Sequence, residues 1–172
     1  MKETWWFKRF TDFSDRPFLV NGETCYSYCD LVERMEAFSQ EFTGKGVEGG
    51  DVVALHGDYT LNGIAALFAL FGCGAIVAPI AAVSKDEKSL REQAAQANWR
   101  IKAGQTLLVE PMEYSKKHHE HISHLKENQH PGLILFSSGT SGAPKAMIHD
   151  AEDFLAAFKH KRARRLNILI FL

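Results

Sequence analysis

The chain has 172 residues, enough for one domain with a real core and too few for several. Its 45% apolar and 24% charged content excludes a disordered chain or a collagen-like repeat. With 20 Lys and Arg against 21 Asp and Glu, the formal charge is −1, so no global field argues for nucleic acid or an anionic membrane.

Met1 to Phe10 mixes Lys, Glu and Arg among aromatics and lacks the unbroken apolar stretch of a secretory signal. Leu19-Val20 and Cys25 to Tyr28 flank Asn21-Gly22, which predicts a small hairpin. A helix follows, with Asp30 as its expected cap and Glu33 three residues on. Leu31, Met35, Phe38 and Phe42 form one apolar stripe, and Gly44 is placed to stop the helix. Val52 to Leu55 is a short strand. Cys25, Cys29 and Cys73 are sparse and odd in number, which suits a reducing cytoplasmic setting rather than a disulfide framework.

From Tyr59 to Ser84 no residue is charged, a length that could cross a bilayer. Gly72 and Gly74 split the run, and Pro79 sits near its end. Leu61 to Phe71 reads as a helix apolar all round, and Ala75 to Ile80 as a buried strand, so an α/β layer is expected and no membrane span. Asp86 to Trp99 reads as a polar-faced helix with a stripe of Leu90, Ala94 and Ala97. Thr106 to Val109 is a strand halted near Pro111. Residues 112–131 are the most polar and read as a connector. Leu133 to Phe136 is a strand, Ala146 to His149 another, and Asp150 caps a helix running to about His160. The alternation predicts an α/β fold of layered sheets flanked by helices. Leu166 to Leu172 is a bare apolar run after a basic tract, an edge that invites aggregation, and it predicts that the chain is truncated relative to its parent domain.

Ser137-Ser138-Gly139-Thr140-Ser141-Gly142-Ala143-Pro144-Lys145 is the most informative segment. Two glycines three apart let successive N–H groups turn inward into an anion-binding nest. Ser137, Ser138, Thr140 and Ser141 add hydroxyl donors, Lys145 adds a point charge, and no carboxylate is present to repel an anion. The bland alternative is a solvated Ser-Gly turn. A Walker A loop fails, because Pro144 stands five positions after Gly139 and Ala146 follows Lys145. A nucleophile elbow around Ser141 fails, because position 143 is Ala. Gly44-Lys45-Gly46-Val47-Glu48-Gly49 spells the dinucleotide fingerprint, but it follows a helix and precedes a strand, so it reads as a plain turn.

The segment Ile134 to Lys145 resembles the signature phosphate loop of the adenylate-forming superfamily, which includes acyl-CoA synthetases, luciferases and nonribosomal peptide adenylation domains. Tyr26-Ser27-Tyr28-Cys29-Asp30-Leu31 is similar to the family's early Tyr-containing helix start. Leu67 to Pro79 is similar to its apolar helix, Ala-Gly turn and strand ending in Pro. The resemblance covers about Tyr26 to Asp150 and departs mildly at Ser141 and Ala146, where the family has Thr and Gly. It implies a partial N-terminal AMP-binding domain over residues 1–172, with the phosphate loop in 134–149. The adenine- and acid-binding segments, the aromatic-Gly-Thr-Glu motif, the hinge and the C-terminal catalytic lysine are absent.

The activity so implied is ATP- and Mg²⁺-dependent conversion of a small carboxylic acid to an acyl-adenylate, usually followed by capture on coenzyme A or another thiol. Ser137, Ser138, Gly139, Thr140, Ser141 and Gly142 would line the phosphates, Thr140 also approaching the metal, with Lys145 as electrostatic support. No catalytic residue is assigned. The truncated chain alone is expected to be inactive, or to act with a separate downstream chain. The alternative is a non-catalytic nucleotide-binding or interaction module.

Three other features are weighed. His118, His121 and His124 fall at helical spacing and could share a metal, with His119 and His130 nearby, but a solvated connector is expected instead. Lys159, Lys161, Arg162, Arg164 and Arg165 read as a solvated helix end. Trp5, Trp6, Phe7, Phe10 and Phe13 read as core contacts rather than an interface.

Overall fold

The computed structural model describes residues 3–81, 84–113, 118–137, 144–162 and 168. Helix α1 (Trp5–Phe13) precedes a hairpin of β1 (Pro17–Asn21) and β2 (Thr24–Ser27). Asn21 pairs with Thr24, so the two loop residues are Gly22 and Glu23, with Gly22 at φ 61°. The hairpin forms as expected, but its turn lies one residue later, because a Gly-X loop needs glycine first. Helix α2 (Tyr28–Lys45) buries Leu31, Met35, Phe38 and Phe42. Its cap is Ser27 rather than Asp30: the Ser27 hydroxyl accepts from the Asp30 N–H, and Asp30 accepts from the Ser27 N–H at 2.6 Å. The helix runs through Gly44 and stops at Gly46, which takes φ 88°, with Val47 N–H donating to Phe42 O. Only the left-handed residue closes the last turn this way.

Strand β3 (Val52–Gly57) leads to α3 (Leu61–Gly72), capped by Thr60, and then to β4 (Ile76–Ile80). Among the described residues no helix is long and apolar enough to cross a membrane. Helix α4 (Lys85–Ala95) is shorter than expected: Gln96 takes a left-handed conformation that closes it, and Trp99 begins a strand, β5 (Trp99–Ala103), paired antiparallel with β6 (Leu107–Pro111). The expected α4 stripe is also displaced: Leu90 is exposed, while Glu92 and Ala95 are buried. The polar connector holds helix α5 (Glu120–Asn128), which buries Ile122 and Leu125. Then come β7 (Gly132–Ser137), β8 (Lys145–Asp150) and α6 (Ala151–Lys159). Of the terminal run 166–172 only Ile168 is described, exposed and in no strand.

Six strands form one mixed sheet in the order β6-β5-β3-β4-β7-β8. β5, β3, β4 and β7 are parallel, and antiparallel β6 and β8 close the two edges. Alternation along the strands sorts side chains onto two faces. Val53, Leu55, Val77 and Ile101 pack under α1, α2, α3 and α6. Val52, Ala54, Ile76 and Ile134 pack on the other face with Ala95, Ile122 and Leu125 from α4 and α5. The result is an α/β fold of three layers. Trp6 and Phe7 of α1 are buried in the first layer, and the rings of Trp6 and Phe10 lie 5.3 and 5.0 Å from Phe68.

Candidate functional site: the β7–β8 hairpin

β7 pairs with β4 only at Ile76–Gly132 and Val77–Leu133. Two positions further along β4 stands Pro79, which has no N–H with which to extend a ladder. Beyond these two pairs β7 continues with β8 alone, through six pairs from Gly132–Asp150 to Ser137–Lys145. Ser137 and Lys145 are both exposed and stand opposite each other at the far end of the hairpin. This end follows the carboxyl terminus of a parallel strand, the edge at which open α/β sheets place ligands. Of the seven residues expected to bind phosphate, Ser138, Gly139, Thr140, Ser141 and Gly142 lie outside the described residues. Ser137 and Lys145 bracket them.

The near end of the hairpin is fastened. His130 Nδ1 lies 2.6 Å from Asp150 Oδ2, and the other Asp150 oxygen accepts from the N–H groups of Glu152 and Asp153, capping α6. The hydrogen bond to Asp150 holds the His130 imidazolium above the ordinary histidine range, with Glu152 3.7 Å away adding to it. Ala151 N–H donates to Pro131 O, so the chain enters and leaves the hairpin as a tied pair. On the second face Phe136, the residue before Ser137, lies under the Arg91 guanidinium at 5.5 Å. Arg91 also pairs with Glu87 at 2.5 Å, so α4 braces the first strand close to the loop.

Beneath α4 a buried ion cluster ties β3 to β5. Glu92, 5% exposed, accepts two hydrogen bonds from Arg100 at 2.6 Å and one from His56 at 2.7 Å. The Arg100 contacts hold the Glu92 carboxyl below its usual range against the opposing effect of burial. Burial pushes the His56 imidazole down, so it is neutral and donates through Nε2 to a carboxylate that can only accept. Sequence reasoning passed over Glu92, His56, Arg91 and the His130–Asp150 pair. His56–Glu92, Phe136–Arg91 and His130–Asp150 are separated by 20 to 45 positions, so local spacing carries no signal for them. Glu92 was read within the helix predicted over Asp86 to Trp99, and Arg100 lay just past its end.

Of the remaining histidines, His118, His121 and His124 line one shallow cavity with Glu120 and Glu127. His119 caps α5, with Nδ1 accepting from His121 N–H, and His124 contacts Asn128. Among the described residues no three His, Cys, Asp or Glu side chains are placed to hold a metal. Lys159, Lys161 and Arg162 are exposed at the end of α6, and Arg164 and Arg165 lie outside the described residues.

With this geometry in hand, the likenesses to known proteins are specific. Surfactin synthase subunit 3 of Bacillus subtilis is 23% identical over 91% of this chain, which spans 14% of that protein. Bacitracin synthase 1 of Bacillus licheniformis is 26% identical over 77% of the chain, which covers 2% of it. Among solved structures, the N-terminal subdomain of Klebsiella oxytoca NpsA, in complex with 3-hydroxybenzoyl-AMSN, superposes with a TM-score of 0.63 at 21% identity. That likeness covers 83% of this chain and 39% of the subdomain. The chain therefore spans well under half of the relatives it matches. Residues 6–169 match the family described as AMP-binding enzyme, and on that match, in an α/β fold shared with an adenylation N-terminal subdomain, the chain belongs to the AMP-binding, adenylate-forming family.

Proposed function

We propose that this chain supplies the phosphate-holding part of an ATP-dependent activation of a small carboxylic acid. The observation that carries the reading is the Ser137–Lys145 pair, which brackets the Ser/Gly/Thr segment at the carboxyl end of β7. In the reaction a carboxylate oxygen attacks the α-phosphorus of ATP. The bond from that phosphorus to the β-bridging oxygen breaks, leaving acyl-AMP and pyrophosphate. Charge grows on the departing pyrophosphate, and the hydroxyl, N–H and ammonium donors of Ser137 to Gly142 and Lys145 would meet it.

The donor set fits phosphate, being hydroxyls and one cation with no carboxylate in the segment. Mg²⁺, were it to bind with the nucleotide, would supply charge neutralisation on the phosphates, and Thr140 is the residue of the segment proposed to approach it. Coenzyme A or another thiol is the proposed acceptor of the acyl group. Cys25, Cys29 and Cys73 are free, which fits a reducing, cytoplasmic setting.

A second reading is a nucleotide-binding module without chemistry of its own, which would use the same Ser137–Lys145 bracket. Two measurements separate these readings. Backbone amide shifts on titration with inorganic pyrophosphate should move at Ser137 and Lys145, and no movement there at millimolar ligand overturns phosphate binding altogether. ATP–pyrophosphate exchange with a panel of acids should stay at background for the chain alone, and exchange clearly above background overturns the second reading.

A further inference from the structure

The far half of the β7–β8 hairpin is a two-stranded ribbon. β7 leaves β4 after Leu133, so Ile134 to Ser137 have a ladder partner on one side only, in β8. Such ribbons twist more freely than strands inside a sheet, and alone they are marginal. The direction in which Ser137 and Lys145 are presented is therefore set by what lies against the faces of the ribbon. On the second face Ile134, Ile148 and Phe136 pack against the core that α4 and α5 supply. Phe136 is half-buried and stands nearest the tip, beside Ser137 in the chain and opposite Ala146 in the ladder.

Arg91 covers the Phe136 ring, its guanidinium carbon 5.5 Å from the ring centroid. Polar contacts do not account for that placement. The acceptor it meets among the described residues, Glu87, lies one turn away on the same helix with a side chain 42% exposed, and such a pair is worth little. Arg91 Nε is buried with no hydrogen-bond partner among the described residues, which is a cost rather than a gain. The contact with the ring is what remains to hold the guanidinium there. Glu92, the next residue, fastens α4 to β3 through His56 and to β5 through Arg100, so the helix cannot slide along the sheet. A fixed helix thus sets a cation against the residue before Ser137.

We infer that Arg91 is a positioning residue for the phosphate site: through the Phe136 ring it fixes the pose of the Ser137–Lys145 pair, and with it the affinity for pyrophosphate. The role is indirect, exerted on the strand rather than on the anion. The inference rests on the phosphate reading above for its consequence, and on the contact between α4 and the hairpin for its cause.

Amide NMR of the whole chain, titrated with inorganic pyrophosphate, tests it on the parent, Arg91→Ala, Phe136→Leu and the double variant. Arg91→Ala should weaken binding about fivefold, the size of one cation–π contact, while the melting temperature stays within a few degrees. In the Phe136→Leu background the same change should alter affinity less than about twofold, because the ring through which Arg91 acts is gone. Without ligand, Arg91→Ala should displace the amide signals of Ser137 and Lys145 in the parent background. Equal affinity in the parent and Arg91→Ala overturns the inference, and so do unmoved signals at both residues. A fivefold loss that persists beside Phe136→Leu also overturns it, since that is a cation acting on the anion directly. A parent chain that binds no pyrophosphate defeats the phosphate reading instead. The positioning of the pair is then upheld by displaced ligand-free signals and refuted by unmoved ones.

Discussion

His130 and Asp150, 20 positions apart, meet through Nδ1 and Oδ2 at 2.6 Å and tie the two ends of the hairpin whose tip carries Ser137 and Lys145. Asp150 also caps α6, so one carboxylate holds the root of the hairpin and the helix behind it. Asp150→Ala is expected to cost about 1–2 kcal/mol, the worth of a good cap plus a partly exposed ion pair. Urea unfolding measures it, and Asp150→Ser should recover most of the cap part alone.

The same pair sets a pH dependence. Asp150 raises the folded-state pKa of His130 above its unfolded value of about 6.5, so the stabilisation is fully present below that pH and fades as pH rises through the folded value. The melting-temperature gap between the parent chain and His130→Gln should be larger at pH 6 than at pH 8, and should narrow with salt because the His130 side chain is 38% exposed. An unchanged gap would place the pair among ornamental surface contacts.

Glu92 behaves oppositely. Removing it leaves Arg100 and His56 facing a buried hole, and Glu92→Ala should cost about 3 kcal/mol, near the low end for a broken buried pair because Arg100 is one-third exposed. The depressed His56 value means that its contribution is complete above about pH 6.5 and is lost as pH falls through the lower folded value. Glu92, also depressed, adds a further loss toward acid. Below about pH 4.3, where an unperturbed Glu titrates, stability should therefore fall further for the parent chain than for Glu92→Gln, as read by urea unfolding.

Lys145 is exposed at the hairpin tip and has no core contact to lose. Lys145→Ala should leave the melting temperature within about 1 °C, as for ordinary surface changes, and weaken pyrophosphate binding about tenfold or more, the worth of one charge-assisted contact. An NMR titration reads both affinity and fold in one experiment. Equal affinity in the two proteins would remove Lys145 from the site.

Gly63 and Gly132 separate two kinds of tight packing. A Cβ on Gly63 would lie 2.1 Å from the Asp58 carbonyl oxygen, a backbone atom that cannot yield without moving the start of α3. A Cβ on Gly132 would meet Ile76 Cγ2 and Leu125 Cδ1 at 2.8 Å, side-chain rather than backbone atoms, so the neighbours can shift without moving a helix start. Gly63→Ala is expected to destabilise by about 3 kcal/mol or more and Gly132→Ala by about 1–2 kcal/mol. Thermal unfolding of the two variants should rank them in that order.

Much of the frame was legible before any coordinates. The 31-35-38-42 stripe, the Asn21-Gly22 turn signal, the uncharged helix and strand, and the Asp150 cap each lie within a few residues of chain, and local periodicity or turn chemistry settles them. The phosphate-loop motif is local in the same sense, and its sequence alone led to the family that residues 6–169 match. Boundaries were less legible. Ser27 displaced Asp30 as a cap because a hydroxyl followed by a carboxylate three residues on satisfies two N–H groups at once. Trp99 to Ala103 was hidden because Ala94 and Ala97 carry a helical pattern up to its first residue, and its pairing partners β3 and β6 lie elsewhere in the chain.

Sequence by itself therefore determined the alternating elements, their apolar faces and the Ser/Gly/Thr-Lys composition of residues 137–145 on which the phosphate proposal rests, all set by neighbours within one or two turns of chain. The tertiary structure alone decided that Glu92 is buried rather than solvated, that His130 meets Asp150, and that β7 leaves β4 after two pairs to carry Leu135 and Met147 into the open. Each depends on which distant strands lie side by side, and pairing between distant segments follows from the packing of whole layers rather than from any short stretch.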